Sequence, residues 1–215
     1  MNLRHYIILF ILGLIVPFGI SRFQSLPGYM DADYYFVGGV QLAEGKGFTE
    51  PYLWNYLDDP EGLPHPSHTY WMPLASIVSA IGMWIAGQST YAAGSAAFIL
   101  LSAFVPVLTG TLAYSVTRQT RLAMVSGLLS IFSLYYAPFM PVPDNYVLYM
   151  LFGGTFLLLA PRQEKWIPLA LGALAGLLTL ARSDGLLWLG LAGLTVMWKS
   201  SAKEHSSRTT FSEWF

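Results

Sequence analysis

The sequence predicts an all-α fold, a polytopic membrane bundle of about six spanning helices with a large first loop outside the cytoplasm. Three observations predict it. Of 215 residues, 54% are hydrophobic and only 11% are charged, whereas a soluble domain usually carries about 25% charged residues. Apolar runs of helical length recur along the chain, and short polar turns separate them. The basic residues concentrate in turns on one side of this pattern, as they do in cytoplasmic loops.

Residues 1–21 are predicted to be the first transmembrane helix, since the apolar run 6–20 follows Arg4. A cleaved secretory signal peptide is the alternative, because Gly19-x-Ser21 loosely matches a small-residue cleavage site. An uncleaved anchor is favoured because further spans follow it.

Residues 22–90 are predicted to form the extracytoplasmic loop. Proline and glycine are frequent in its polar part, where only 33–44 is suited to a short helix and 50–66 is expected to be irregular. The apolar run 73–87 is short for a span, so it is predicted to be a second juxtamembrane helix that lies at the interface without crossing.

Residues 91–198 are predicted to hold helices 2–6, with residues 199–215 as a cytoplasmic tail. The five apolar runs lie at 91–116, 122–139, 146–160, 166–181 and 185–198. The first reaches spanning length easily, and the last three borrow flanking residues to do so.

The distribution of charge orients this arrangement with a cytoplasmic amino terminus in the plasma (inner) membrane. Eight basic residues then face the cytoplasm: Arg4, Arg118, Arg121, Arg162, Lys165, Lys199, Lys203 and Arg208. Three remain outside: Arg22, Lys46 and Arg182. A seven-span alternative, with 73–87 crossing and the acidic loop in the cytoplasm, also satisfies the positive-inside rule. It is disfavoured by the position of Arg4 and the shortness of 73–87.

The composition also excludes classes of partner. The formal net charge of −1 gives no basic excess, so no nucleic-acid partner is expected. The chain has no cysteine, which rules out disulfides and thiolate metal sites. The lipid bilayer is the expected partner.

Asp31 and Asp33 lie two residues apart near the start of the polar loop. Two such carboxylates at a membrane surface can hold a divalent cation, or one can act as a general base while the other orients a substrate. They are the candidate catalytic residues. The alternative is a solvated acidic turn that caps the following helix.

Four further side chains are candidate binding residues. His65 and His68 are spaced to share a metal, but Pro66 opposes the helix that would aim them together, so a polar connector is the alternative. Asp144 begins a helix and alternatively serves only as its N-cap. Arg182 is placed to bind a lipid phosphate, with an ion pair or simple snorkelling as the alternative.

The order of these features resembles the GT-C superfamily of polytopic glycosyltransferases, which includes protein O-mannosyltransferases and lipid A aminoarabinose transferases. In that family an acidic motif opens the first outer loop, with Tyr four residues on and Leu-Ala-x-Gly about a dozen residues later. Asp31, Tyr35 and the Leu-Ala-Glu-Gly of 42–45 fit this spacing to within one residue. The aromatic-Pro-Leu phrase at 70–74 and Gly-x-Ser at 87–89 follow in the family's order.

Downstream features of the family are also matched. They are a basic loop after the second span, an Asp at the outer start of the fourth, and an Arg-x-Asp-Gly phrase at the outer end of the fifth. This chain has 117–121, Asp144 and 182–185 at those places.

The resemblance implies a glycosyltransferase that moves a sugar from a polyprenyl-phosphate donor to an acceptor at the outer membrane face. It implies Asp31 as the base, Asp33 supporting it or binding an ion, and Arg182 on the donor phosphate. Tyr35 and Asp144 match family positions, and together with His65 and His68 they are the candidate substrate-binding residues. No cofactor is required, although a divalent cation at Asp31 and Asp33 is compatible with it.

The chain departs from the family in two respects. Ala32 follows Asp31 where many members have Glu, and the predicted spans number six where the family has nine or more. A truncated or split gene product, or a short paralogue, is therefore expected. A non-catalytic membrane subunit and a small transporter remain alternatives, the latter disfavoured because the apolar runs lack ionisable residues.

Overall fold

A computed structural model of the protein describes residues 1–53, 61–133 and 135–212, with side chains up to residue 199. Nine α-helices occur in these residues: α1 (Leu3–Ser21), α2 (Met30–Ala43), α3 (Leu74–Ala86), α4 (Tyr91–Ser102), α5 (Phe104–Thr117), α6 (Thr120–Ile131), α7 (Asn145–Leu159), α8 (Ile167–Ala181) and α9 (Leu186–Ser212). The prediction of an all-α fold is confirmed at this level.

Two short strands interrupt the segment that was expected to be irregular. β1 (Thr49–Glu50) pairs antiparallel with β2 (His65–Pro66), so that Glu50 lies opposite His65. Part of that segment, residues 54–60, lies outside the described residues. The strand pair ties the end of the segment back to its start, next to α2.

Within the residues that the structure describes, two segments are long and apolar enough to cross a membrane, namely Leu3–Ser21 and Tyr91–Thr117. The second consists of α4 and α5, which meet at Ala103. Pro106 lacks the N–H that would bond to the carbonyl of Ser102, which explains the break between them. Four shorter apolar helices, α3, α6, α7 and α8, accompany these two.

Small residues let α1 pack closely against α5 and α6. Leu9 is fully buried. A Cβ on Gly110 or Gly127 would lie within 3 Å of its methyl groups. On the same helix, a Cβ on Gly13 would lie 2.6 Å from the ring of Pro106. Helix α1 is thus part of the packed bundle.

Helices α2, α3 and α4 approach each other in the same way. A Cβ on Gly39 would lie 2.8 Å from the side chain of Ser79, and one on Gly94 would lie 2.5 Å from the same hydroxyl. A Cβ on Gly82 would lie 2.5 Å from the carbonyl oxygen of Ala93. This close packing fixes the position of α2 and of the side chains that it carries.

Candidate functional site

Helix α2 carries the acidic motif and two buried tyrosines. Its N-cap is Tyr29, so Asp31 and Asp33 both lie in the first turn, where negative charge is favourable to the helix dipole. Tyr34 and Tyr35 are almost fully buried. Tyr35 contacts a group of polar residues at the start of α7, and Tyr34 contacts another group near the end of the loop.

The first group, the Asp144 cluster, consists of Tyr29, Tyr35, Asp144 and Asn145. The hydroxyl of Tyr29 donates to Oδ2 of Asp144, although the two residues are 115 positions apart. The backbone N–H of Asn145 donates to Oδ1 of Asp144. The side-chain amide of Asn145 donates to the hydroxyl of Tyr35 over 3.4 Å. Asp144 is therefore the side-chain cap of α7, and in addition it joins α7 to the first loop.

Asp144 is only 3% exposed. Burial raises the pKa of its carboxyl group, while the hydrogen bonds from Tyr29 and Asn145 act in the opposite direction. Burial and the charge of Asp144 also raise the pKa values of Tyr29 and Tyr35, so both phenols keep their protons. The cluster is a set of fixed hydrogen-bond donors and acceptors.

Asp31 and Arg182 both act on this cluster through their charges. The carboxylate of Asp31 raises the pKa of Tyr29, Tyr35 and Asp144. The guanidinium of Arg182 lowers the pKa of Tyr35 and Asp144. Asp31 follows Tyr29 by two positions at the start of α2, and contacts with Asp184 and Tyr149 hold Arg182 beside α7.

Arg182 caps the end of α8, and the short 3₁₀ turn Ser183–Gly185 follows it and leads into α9. Its Nε donates to Oδ1 of Asp184 over 3.0 Å, and Tyr149 donates to the same oxygen over 3.2 Å. The guanidinium also lies 5.9 Å from the centre of the Tyr149 ring. Among the described residues, none accepts a hydrogen bond from its terminal nitrogens, which leaves these free to bind two oxygens of a phosphate or carboxylate.

Gly185 makes this turn possible. A Cβ at this position would lie 2.2 Å from the backbone oxygen of Leu178. Since backbone cannot move aside as a flexible side chain can, only glycine fits. The tight turn holds Arg182 and Asp184 at the end of α8, beside α7.

The second group, the His68 cluster, includes Tyr34, whose ring centre lies 6.0 Å from that of Tyr35. The ring of His68 is hydrogen-bonded through Nδ1 to the hydroxyl of Ser67 (2.6 Å) and through Nε2 to that of Ser76 (2.9 Å). Its backbone N–H donates to the hydroxyl of Tyr34. Tyr34 is in turn hydrogen-bonded to buried Glu50. This network attaches the end of the loop to α2 and α3.

The two candidate histidines have separate partners. Nε2 of His65 lies 3.2 Å from Oε1 of Glu50 and 3.1 Å from the carbonyl oxygen of Tyr52. Residue 68 adopts a positive φ of 61°, which turns its side chain towards Ser76. Within the described parts of the chain, no group of three or more His, Cys, Asp or Glu residues is arranged to hold a metal ion.

Asp33 is exposed, whereas Asp31 is partly buried. Burial and the charges of Glu50 and Asp33 raise the pKa of Tyr52, in the second half of the loop. Tyr29 and Asn145, which sequence reasoning did not single out, belong to the site; no local motif marks them, since their partners lie more than 100 positions away.

A cavity of about 420 Å³ adjoins the Asp144 cluster. It lies between the segment after α1 and the segment before α7. Its lining residues are Phe23, Gln24, Ser25, Leu26, Pro27, Gly28, Tyr29, Pro138, Phe139 and Val142. Tyr29 thus lines the cavity and also donates the hydrogen bond to Asp144.

Acidification is expected to release the loop from α2 and α3. Burial lowers the pKa of His68 from 6.5 to about 4. A histidine whose pKa is depressed in the fold contributes stability above pH 6.5, and this is lost as the pH falls from 6.5 towards 4. Hydrogen exchange of residues 65–76 should therefore accelerate over that range. In His68→Gln the acceleration should disappear; an unchanged acid response would assign it to another group.

No family model, curated protein or solved structure matches the chain.

Proposed function

We propose that the protein is a multi-pass membrane glycosyltransferase that moves a sugar from a polyprenyl-phosphate donor to an acceptor at the extracytoplasmic face. The observation that carries this proposal is a pair of hydrogen bonds to α7. Tyr29, two positions before Asp31, donates to Asp144 at the start of α7, and Tyr149 of α7 donates to Asp184, the ion-pair partner of Arg182. A general base and a phosphate-binding cation are the two groups that transfer from a phosphate-linked sugar needs.

The surface of α1 supports a membrane location. Only 17% of its apolar stretch is buried inside the protein, whereas a core helix of a soluble protein is mostly buried. A side of the helix that is neither packed against protein nor polar is stable in lipid. We propose six spans, made by α1, by α4 together with α5, and by α6, α7, α8 and α9, with α3 at the interface.

The hydrogen bond between Tyr29 and Asp144 supports this topology over the seven-span alternative. In the alternative, the first loop is cytoplasmic and the start of α7 is outside, so a bilayer would separate the two residues. Gln24, which donates to the carbonyl oxygen of Pro138 over 2.8 Å, leads to the same conclusion. Six spans put both partners outside and eight of eleven basic residues in the cytoplasm.

The proposed reaction inverts the anomeric carbon. Asp31 accepts the proton of the acceptor hydroxyl, whose oxygen forms the new bond to the anomeric carbon. The bond from that carbon to the phosphate oxygen breaks, and its electron pair leaves with the polyprenyl phosphate. Arg182 stabilises the charge on the departing phosphate by two parallel hydrogen bonds. A metal is not required, since a phosphate ester is already a good leaving group.

The cavity beside Tyr29 is proposed to receive the sugar or the acceptor. Its volume of about 420 Å³ lies within the range of about 300–1,000 Å³ that small-molecule sites usually have. Tyr29 lines it and is hydrogen-bonded to Asp144, which links the cavity to the Asp144 cluster. Asp33, His65 and His68 are proposed to hold the second half of the loop, next to the site.

The test is transfer of radiolabelled sugar from polyprenyl-phosphate hexoses and pentoses by the full-length protein in proteoliposomes, with a membrane extract as the source of acceptor. We expect label to leave the lipid fraction for at least one donor. If no donor is consumed and none binds, the protein is a non-catalytic membrane subunit, and the proposal is wrong.

A further inference from the structure

A second group of charged residues lies at the opposite end of the bundle, where α7 is joined to α8. Arg162, Glu164 and Lys165 follow one another in this connection, and Lys199 of α9 reaches it. The ammonium group of Lys199 donates to the backbone carbonyl of Arg162, which fixes α9 against the connection. Nothing in the proposed transfer reaction uses these residues.

The group carries an excess of positive charge. It contains three cationic side chains and one carboxylate. Nη1 of Arg162 lies 3.9 Å from Oε1 of Glu164, and both side chains are about half exposed. A pair of this kind is weak. Lys165 has no ion-pair partner among the described residues. The charges are therefore available to an anion.

Two cavities adjoin these charges, and both are lined by Gln163 and Lys199. One, of about 230 Å³, lies between the connection and the start of α8. Arg162, Lys165 and Lys199 all line it. The other, of about 420 Å³, is lined by Leu194 and Trp198 of α9 as well as by Lys199. The three cations thus meet at the smaller cavity, and the larger one adds apolar side chains beside them.

Exposed aromatic and aliphatic side chains border the charges. Trp166 and Trp198 are exposed, as tryptophans at the interface between lipid and water usually are. Leu169 and Leu194 are exposed further along α8 and α9, away from the connection. Cations, tryptophans and leucines therefore follow one another along this surface, in the order in which a phospholipid presents its charged headgroup, its interfacial region and its acyl chains.

We propose that this end of the bundle binds an anionic phospholipid of the cytoplasmic leaflet. Arg162, Lys165 and Lys199 hold the headgroup phosphate in the smaller cavity, and an acyl chain lies in the larger one along Leu194 and Trp198. The inference rests on the membrane topology of the proposed function but not on sugar transfer. A soluble phosphate ester shares the headgroup chemistry, yet it would leave the larger cavity, beside Leu194 and Trp198, empty.

Native mass spectrometry of the full chain in detergent tests this with phosphatidylglycerol and phosphatidylcholine as probes. We expect phosphatidylglycerol to bind more tightly. Changing Arg162, Lys165 and Lys199 together to Gln should weaken it on the order of 100-fold, towards the affinity of phosphatidylcholine. The matched control changes Arg22, Lys46 and Arg118 to Gln, which removes the same total charge elsewhere and should leave binding unchanged. Equal binding of the two lipids, or an equal loss in the control, would overturn the site.

Two further measurements test the site without the triple substitution. Lys165→Gln removes one exposed charge without a described partner, so it should fold normally and still weaken phosphatidylglycerol binding several-fold; an unchanged affinity would count against the site. Glycerophosphoglycerol, which is the headgroup without acyl chains, should not displace the lipid at equal concentration. Displacement would show a site for soluble phosphate esters and overturn the lipid assignment. Sugar transfer is measured separately, so its failure does not affect these results.

Discussion

Replacement of Asp31 by Asn is expected to lower sugar transfer by about 10²–10⁴-fold, which is the usual contribution of a general base. Asn keeps the size of the side chain and cannot take the proton of the acceptor hydroxyl. Asp31 lies in the first turn of α2, where loss of its charge removes only a small favourable interaction with the helix dipole. The bundle should therefore fold normally, as thermal unfolding in detergent would verify.

The matched control is Asp33→Asn, which removes the other carboxylate of the motif. Asp33 is exposed to solvent, whereas Asp31 is partly buried, so the loss of Asp33 should reduce transfer much less. If Asp33→Asn abolished transfer and Asp31→Asn preserved it, the roles would be exchanged. If neither substitution mattered, the motif would have no catalytic role.

Arg182→Ala is expected to weaken binding of a polyprenyl-phosphate hexose by about 10–100-fold, because hydrogen bonds to a charged group contribute about 1.5–3 kcal/mol. Arg182→Lys should weaken it less, since an ammonium keeps the charge but cannot form two parallel bonds to phosphate. The side chain of Arg182 is 46% exposed, so the ion pair with Asp184 contributes little to stability. Affinity measured by native mass spectrometry separates the three proteins.

Arg118→Ala provides the control for Arg182, because it removes an exposed arginine at the other end of the bundle. It should leave the affinity for the lipid-linked sugar unchanged. Equal affinities of wild type, Arg182→Lys and Arg182→Ala would mean that the residue serves only the turn and its ion pair with Asp184.

The helical class was predictable from sequence because hydrophobic composition and run length directly determine whether a segment can pack or cross as a helix. The break between α4 and α5 was not predicted, although Pro106 is its physical cause. The pairing of Thr49–Glu50 with His65–Pro66 was missed for another reason. Strand pairing of two residues leaves no periodic pattern that sequence reasoning can detect.

The candidate site was only partly predictable. That Asp144 caps α7 follows from its position in the chain, and the Arg182–Asp184 pair follows from their spacing. The contact of Asp144 with Tyr29 depends on how α7 packs beside the first loop, over 115 positions. Likewise, the separate partners of His65 and His68 depend on the backbone turn at residue 68. Such long-range contacts are set by tertiary packing and have no local signal.

The sidedness of the first loop is the point on which the whole account depends, and cysteine labelling tests it most directly. The chain has no native cysteine, so single cysteines can replace Lys46 and Arg118 and be exposed to an impermeant maleimide in intact cells. We predict labelling at 46 and protection at 118 until the cells are permeabilised. Residue 118 is cytoplasmic in both topologies, so position 46 decides between them. Protection at 46 in intact cells would put Asp31 in the cytoplasm and contradict the account.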